Sequence, residues 1–320
     1  MLSAPDFRNK QIVFAMLSHG DKLSFKNDNV IIKDEEGIKH QSTCYRLFAL
    51  FIVGHATITT GLLQRAKKFG FSIFLLTHSL SPYGNWLAKT EGNVLLRRKQ
   101  YEYKGLKIAK LLVRNKISQQ IDALKKQRKK SEELQQTINL LSEYGDRIND
   151  IDADLQSLLG IEGIASRIYF KQMFDNIDWT GRKPRTKHDI TNLLLDIGYT
   201  QLFNLMDSLL NIYGFDVYQG VYHQVFYQRK SLVCDLVEPF RPIIDQRLRK
   251  AYQLGQIKPD DFDYYRGQYR LFGKSSQTYT RLFLETLMEN KEKIFDYVQA
   301  YYRAFIREKP IEEYPVFAGE

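Results

Sequence analysis

The chain has 320 residues, and its 43% hydrophobic share is ordinary for a globular protein with a substantial core. Its 47 Lys and Arg residues against 37 Asp and Glu residues give a charge of +10, which favours polyanionic partners such as nucleic acid. The longest apolar run, Leu47–Val53, is far shorter than the roughly 18 residues of a membrane-spanning helix, and residues 1–10 show no secretory hydrophobic region. The two cysteines, Cys44 and Cys234, form no zinc-binding pattern. We therefore expect a cytoplasmic protein that does not enter a membrane.

Residues 1–86 have the pattern of short strands separated by turns. The apolar run Gln11–Leu17 and the alternating run Lys22–Lys26 are typical of β-strands, and the frequent turns indicate antiparallel pairing. The pattern also predicts a short helix over Thr60–Phe69 and a strand over Phe71–Leu76.

A segment with the composition of a linker, Ser79–Gly84, separates this region from one of helical character. After residue 90, apolar side chains recur every three or four residues, as they do on one face of a helix. These stripes comprise Val113, Ile117, Ile121 and Leu124, then Leu134, Ile138, Leu141, Tyr144, Ile148, Ile151, Leu155 and Leu158; residues 190–212, 239–255 and 276–307 also predict helices. We interpret the basic block Lys125–Lys130 as a solvated helix end or turn. The predicted fold class is therefore α+β, with a small antiparallel β domain over residues 1–86 followed by a larger all-α domain over residues 90–320.

The most informative segment places one imidazole and two carboxylates, those of His223, Asp235 and Glu238, within sixteen residues. Imidazole and carboxylate together form a ligand set for a divalent metal. Asp235 and Glu238 are three residues apart, which on a helix puts their Cβ atoms about 5–6 Å apart on one face. Pro239 disfavours helical dihedrals at the preceding residue, so Glu238 is predicted at a kink or a helix start. The cations that flank this segment suit a phosphate substrate: Arg229, Lys230 and Arg241.

Glu162 is the candidate for a third ligand because it stands among small and apolar residues. A carboxylate desolvated by such neighbours needs a partner or a metal. The alternative is an exposed glutamate on a helix turn, or one paired with Arg167, and the residues alone leave both interpretations open.

Four segments together carry a resemblance to a known family. They are Glu91–Tyr101; Gly160–Gly163 with Ala165, Tyr169 and Phe170; Asp189–Tyr199; and Gly214–His223 with Ser231–Pro242. The chain resembles the CRISPR-associated integrase, the first of the Cas proteins, which inserts new spacers into a CRISPR array. The likeness covers nearly the whole chain, including the order of strands before helices. The chain departs from the family at Val217, where many members have proline, and in the charged loop Arg182–Lys187.

The resemblance implies that Glu162, His223 and Glu238 bind the metal and that Asp235 assists at the same catalytic site. It implies Mg²⁺ or Mn²⁺ as the cofactor and DNA, as spacer duplex and repeat target, as the partner. Members of the family typically work as homodimers, often with a small second Cas protein, and the N-terminal domain is expected to dimerise.

The predicted reaction is metal-dependent DNA strand transfer, in which a spacer 3′-hydroxyl attacks a phosphodiester of the repeat array. One phosphodiester replaces another, so no ATP is needed, and the chain has no Gly-rich phosphate loop. The predicted DNA contacts are Arg97, Arg98, Arg229, Lys230 and Arg241. For Arg241, a salt bridge to Asp235 or Glu238 is an equal alternative. Two other functions stay open, a metal-dependent structure-specific endonuclease and a non-catalytic DNA-binding scaffold.

Overall fold

A computed structural model describes residues 4–18, 20–77, 82–87, 93–150, 154–177, 179–271 and 273–319. Part of the predicted linker Ser79–Gly84 lies outside these described residues. So do Glu91 and Gly92 of the first resemblance segment, and Ile151 of the predicted apolar stripe. The chain divides into two compact units, one of Met1–Val94 with Asp207–Phe215 and the other of Leu95–Met206 with Asp216–Glu320. Within the described ranges, no helix is long and apolar enough to cross a membrane.

The described strands of the first unit form two sheets. The three-stranded sheet is antiparallel and comprises β2 (Lys22–Lys26), β3 (Asn29–Lys33) and β4 (Ile38–Thr43). The turn between β2 and β3 has positive φ at Asn27 (49°) and Asp28 (56°), which suits these two residue types in a tight hairpin. The four-stranded sheet has the order β1 (Gln11–Met16), β5 (Leu47–Val53), β6 (Ser72–Leu76) and β7 (Pro82–Trp86).

The four-stranded sheet departs from the predicted antiparallel pairing. Strand β5 runs parallel to both β1 and β6, and β7 is antiparallel to β6. Helix α2 (Thr60–Phe69) connects β5 to β6, and a crossover of this kind returns the chain in the same direction. All seven residues of β5 are buried, as expected of a central parallel strand. The prediction of strands before helices is confirmed, but the antiparallel pairing is wrong for β1, β5 and β6 because the connection sets strand direction.

The second unit is largely helical. Helix α1 (Ala4–Arg8) belongs to the first unit. The other described helices are α3 (Val94–Glu102), α4 (Lys107–Lys125), α5 (Glu132–Asp150), α6 (Leu155–Met173), α7 (Ile190–Tyr213), α8 (Ser231–Val237), α9 (Arg241–Gln253) and α10 (Gly273–Ile306). Of these, α7 from Asp207 onward and the first residue of α3 are assigned to the first unit. The predicted helix end at Lys125–Lys130 is confirmed, since α4 ends at Lys125 and the lysines that follow are exposed. A short hairpin of β8 (Asp263–Tyr265) and β9 (Gln268–Arg270) interrupts the helices, so this region is not strictly all-α.

Helix α4 carries polar side chains into the interior of the second unit. It packs against α5, α6, α9 and the 3₁₀ turn Glu238–Phe240. Asn115 Nδ2 donates to the Phe317 carbonyl at 2.7 Å, and the Phe317 N–H donates to Asn115 Oδ1 at 2.8 Å. The next residue, Lys116, is also buried, and its partners define the site described below.

Gly198 in α7 marks a close approach between helices. A Cβ there would lie 2.4 Å from Ile244 Cγ2 and 3.1 Å from Phe283 Cδ1. We expect Gly198→Ala to lower the free energy of unfolding by about 1–3 kcal/mol because it overpacks the contact. The control is Gly160→Ala in α6, where a Cβ meets nothing within 4 Å, and it should raise stability by about 0.5–1 kcal/mol. Denaturant unfolding measures both variants, and equal effects would contradict this interpretation.

Candidate metal centre

Asp235 in α8 is fully buried and accepts hydrogen bonds from the loop that precedes it. The backbone N–H groups of Val221 and Tyr222 donate to its Oδ2 at 2.6 and 3.0 Å, and that of His223 donates to Oδ1 at 2.8 Å. A Cβ at Gly220 would lie 2.7 Å from Oδ2, so this close backbone approach requires glycine. The imidazole Nδ1 of His223 lies 2.7 Å from Oδ1. This contact orients the ring and leaves Nε2 as the nitrogen that can bind a metal.

Glu238 begins the 3₁₀ turn between α8 and α9, which confirms the predicted helix start at this residue. Its dihedrals are helical (φ −55°, ψ −45°), so the expected avoidance of helical dihedrals before Pro239 is wrong. Its Oε1 lies 3.1 Å from Arg241 Nε, and its Oε2 lies 2.6 Å from Lys116 Nζ. Burial raises the pKa of Glu238, but the charges of Arg241 and Lys116 outweigh burial and lower the pKa to about 2. Glu238 is therefore an anion at neutral pH.

Glu162 reaches the same cation from α6. Its Oε1 contacts Lys116 Nζ and accepts a hydrogen bond from Ser166 Oγ at 3.1 Å. Its side chain is 21% exposed, so it is neither fully buried nor a solvated surface group. The ion-pair partner of Glu162 is thus Lys116, and not the Arg167 that the sequence offered as an alternative.

One buried ammonium group joins the two glutamates. Burial lowers the pKa of Lys116, but the charges of Glu238 and Glu162 outweigh burial, and the pKa lies above its usual value. Sequence reasoning missed this residue. The sequence signal that could have found Lys116 is its position four residues after the apolar Leu112, which puts it on the buried face of α4.

The carboxylate oxygens of Glu162 and Glu238 are of the type that binds a hard divalent cation. Oε2 of Glu238 is buried and accepts no well-aligned hydrogen bond, although Lys116 lies close to it. Glu238 follows Asp235 by three residues, and Asp235 in turn contacts the His223 ring. In the part of the chain that the structure describes, no three His, Cys, Asp or Glu side chains are placed to hold one metal ion together. The residue types fit a divalent cation, and the space between Glu162 and Glu238 holds the Lys116 ammonium.

A cavity of about 790 Å³ adjoins Glu162 and Glu238 in the second unit. Its wall includes four aromatic and five cationic side chains: Phe170, Phe174, Trp179, Tyr199, Lys116, Arg167, Lys171, Arg182 and Arg241. Asp245 also lines it and accepts hydrogen bonds from the Tyr199 and Tyr169 hydroxyls. Burial raises the pKa of Asp245 to about 6. The cationic part of this lining suits a phosphate-bearing substrate, and it includes Arg241, one of the predicted DNA contacts.

The predicted DNA contacts differ in their surroundings. Arg241 pairs with Glu238, so the salt-bridge alternative is confirmed for this residue. The Arg229 guanidinium lies 5.7 Å from the Phe226 ring centroid and donates to Gln224. Arg97 and Arg98 are exposed on α3, and Lys230 precedes α8 and is half-buried. A DNA contact by any of the five stays a prediction.

Comparison with known proteins identifies the family. The family model for CRISPR associated protein Cas1 matches residues 14–285. The chain is 34% identical over 223 residues to the CRISPR-associated endonuclease Cas1 1 of Thermodesulfovibrio yellowstonii, covering 66% of this chain and 70% of that protein. The chain is thus a CRISPR-associated protein. More specifically, it belongs to the Cas1 family.

Solved structures share its fold. A chain of a Cas6-RT-Cas1–Cas2 complex matches with a TM-score of 0.80 and 22% identity over 96% of this chain. The present chain covers 36% of that chain, and so spans about a third of its length. A casposase bound to integration product matches with a TM-score of 0.77 and 19% identity, covering 97% of this chain and 96% of the casposase. At these identities the likeness establishes the fold alone.

Proposed function

We propose that this protein catalyses metal-dependent DNA strand transfer in CRISPR adaptation, joining a spacer 3′-hydroxyl to the repeat array. The observation that carries the proposal is that Glu162 and Glu238 meet at one buried cation, and that Asp235, three residues before Glu238, orients the His223 ring. Membership of the Cas1 family supports a nuclease or integrase, and the casposase bound to integration product supports joining chemistry on this fold.

Each residue has a distinct part in this proposal. Glu162, Glu238 and Nε2 of His223 would hold Mg²⁺ or Mn²⁺, and the imidazole favours Mn²⁺. When bound, such an ion activates the attacking hydroxyl and stabilises charge on the phosphate. Asp235 assists by fixing the orientation of His223, and Arg241 stays beside Glu238.

The deciding experiment distinguishes joining from hydrolysis. Purified protein is incubated with a short duplex, a supercoiled repeat target and Mn²⁺, and joined products are expected that disappear when chelator is added. A duplex with 3′-deoxy ends is the matched control, because it cannot be joined while hydrolysis of the target would continue. Cleaved target without joined product would instead favour an endonuclease, the activity named for the Thermodesulfovibrio relative. No metal-stimulated chemistry at all would leave the DNA-binding scaffold.

DNA affinity is expected to fall steeply as salt is added, because a protein of charge +10 binds phosphates with release of counterions. For six or more phosphate contacts, the loss between about 50 and 200 mM salt is roughly a thousandfold or more. Fluorescence anisotropy of a labelled duplex measures this dependence. A flat response to salt would argue against the polyanion interpretation.

We further propose that the protein acts as a homodimer through its first unit and assembles with a small second Cas protein. The Cas6-RT-Cas1–Cas2 complex, in which about a third of one chain has the fold of this protein, supports a Cas2 partner. Light scattering of the purified chain, alone and with a Cas2 protein, tests both statements, and a monomer that binds no Cas2 would contradict them.

A further inference from the structure

Lys116 occupies the place that a metal bridging the two glutamates would need, and the inference drawn from it rests on the proposed function. Its Nζ lies 2.6 Å from Oε2 of Glu238 and contacts Oε1 of Glu162. A Mg²⁺ ion bound to the same two oxygens would lie about 2.0–2.1 Å from each. An ammonium group and a divalent ion cannot share these oxygens, since the two cations would overlap and repel each other.

We propose that Lys116 is a built-in counter-ion that holds Glu162 and Glu238 together without metal and must leave before a metal binds both. Without the ammonium, two neighbouring carboxylates would repel each other. Lys116 also lines the cavity beside these glutamates. Rotation of its flexible side chain therefore moves the ammonium away from the two carboxylates and into this cavity. A DNA phosphate in that cavity would favour the displaced position. Metal and DNA therefore bind with positive coupling.

Mn²⁺ binding to the wild type and to Lys116→Met, measured by electron paramagnetic resonance, tests the competition. Methionine has a similar length and no charge, so the variant is expected to bind Mn²⁺ about tenfold more tightly. In chelator the variant should unfold at a lower temperature than the wild type, and Mn²⁺ should remove this difference. Lys125→Met, at the exposed end of the same helix, is the matched control and should change neither result. Equal or weaker Mn²⁺ binding by folded Lys116→Met would overturn the proposal.

A second measurement on the wild type covers the case in which Lys116→Met does not fold. Amine acylation, quantified by mass spectrometry, should label Lys116 slowly in chelator and several-fold faster in Mg²⁺, while Lys125 reacts at the same rate in both. Unchanged protection of Lys116 would also overturn the proposal. If neither the wild type nor Lys116→Met binds Mn²⁺, the metal site itself is removed, and with it both proposals. If Mn²⁺ binds and either of the two contrary results is found, only the role of Lys116 is overturned and the proposed function stands.

Discussion

Replacing Glu238 with Gln is expected to slow strand transfer by roughly a thousandfold or more while leaving DNA affinity nearly unchanged. Glutamine keeps the shape of the side chain but loses the charge that faces Lys116 and Arg241. A thousandfold loss corresponds to about 4 kcal/mol of transition-state stabilisation, which is in the range of metal-assisted catalysis. DNA affinity depends on contacts between cations and phosphates, and removing a carboxylate charge does not weaken these. The same result is expected for Glu162→Gln and His223→Ala.

Single-turnover joining assays and anisotropy measurements separate the two effects. Glu285→Gln is the matched control, because Glu285 is an exposed glutamate paired with Arg281 on α10, and this variant should keep full activity. Circular dichroism and the retained DNA affinity show that each variant is folded. Full joining activity in any one of the three site variants would remove that residue from the proposed centre.

The part of the candidate site that is local in sequence was the most accessible to prediction. His223, Asp235 and Glu238 lie within sixteen residues, and their chemical types alone suggest a shared role. The structure places the first two in direct contact through Nδ1 and Oδ1. It also adds a reason for the loop conformation, since three backbone N–H groups turn toward the Asp235 carboxylate.

The long-range part was harder to predict. Composition left Glu162 undecided between a buried and an exposed glutamate, and the family resemblance alone suggested its role. Lys116 was missed because a lysine in a helical segment is ordinarily solvated, and the two carboxylates that neutralise it come from other elements. Burial of a charge depends on which elements meet, and local periodicity does not contain that information.

Strand direction shows the same limit within the first unit. The residues of β5 predict a strand from their apolar run, but such a run is compatible with either direction. The helix Thr60–Phe69 was predicted at its observed bounds, yet a crossover between parallel neighbours was not inferred from it. Pairing direction follows from the connection between strands more than from the strands themselves.

Asp235→Ala is expected to lower the free energy of unfolding by about 3 kcal/mol or more. Its carboxylate is fully buried and accepts the N–H groups of Val221, Tyr222 and His223. Alanine would leave these donors without an acceptor, and each unsatisfied buried group costs about 1–3 kcal/mol. Strand transfer should be lost as well, because the His223 ring loses the contact that orients it.

Asp235→Asn provides the graded comparison, because its single amide oxygen can accept some of these hydrogen bonds while its amide nitrogen faces a donor. Its loss of stability should therefore fall between those of the wild type and Asp235→Ala, and thermal unfolding of the three proteins measures the order. Asp263→Ala, at an exposed position on β8, is the surface control and should change stability by less than about 0.5 kcal/mol. If Asp235→Ala were as stable as this control, the loop from Val221 to His223 would not depend on the carboxylate. Asp235 would then act, if at all, through direct contact with the metal or the DNA and not by positioning His223.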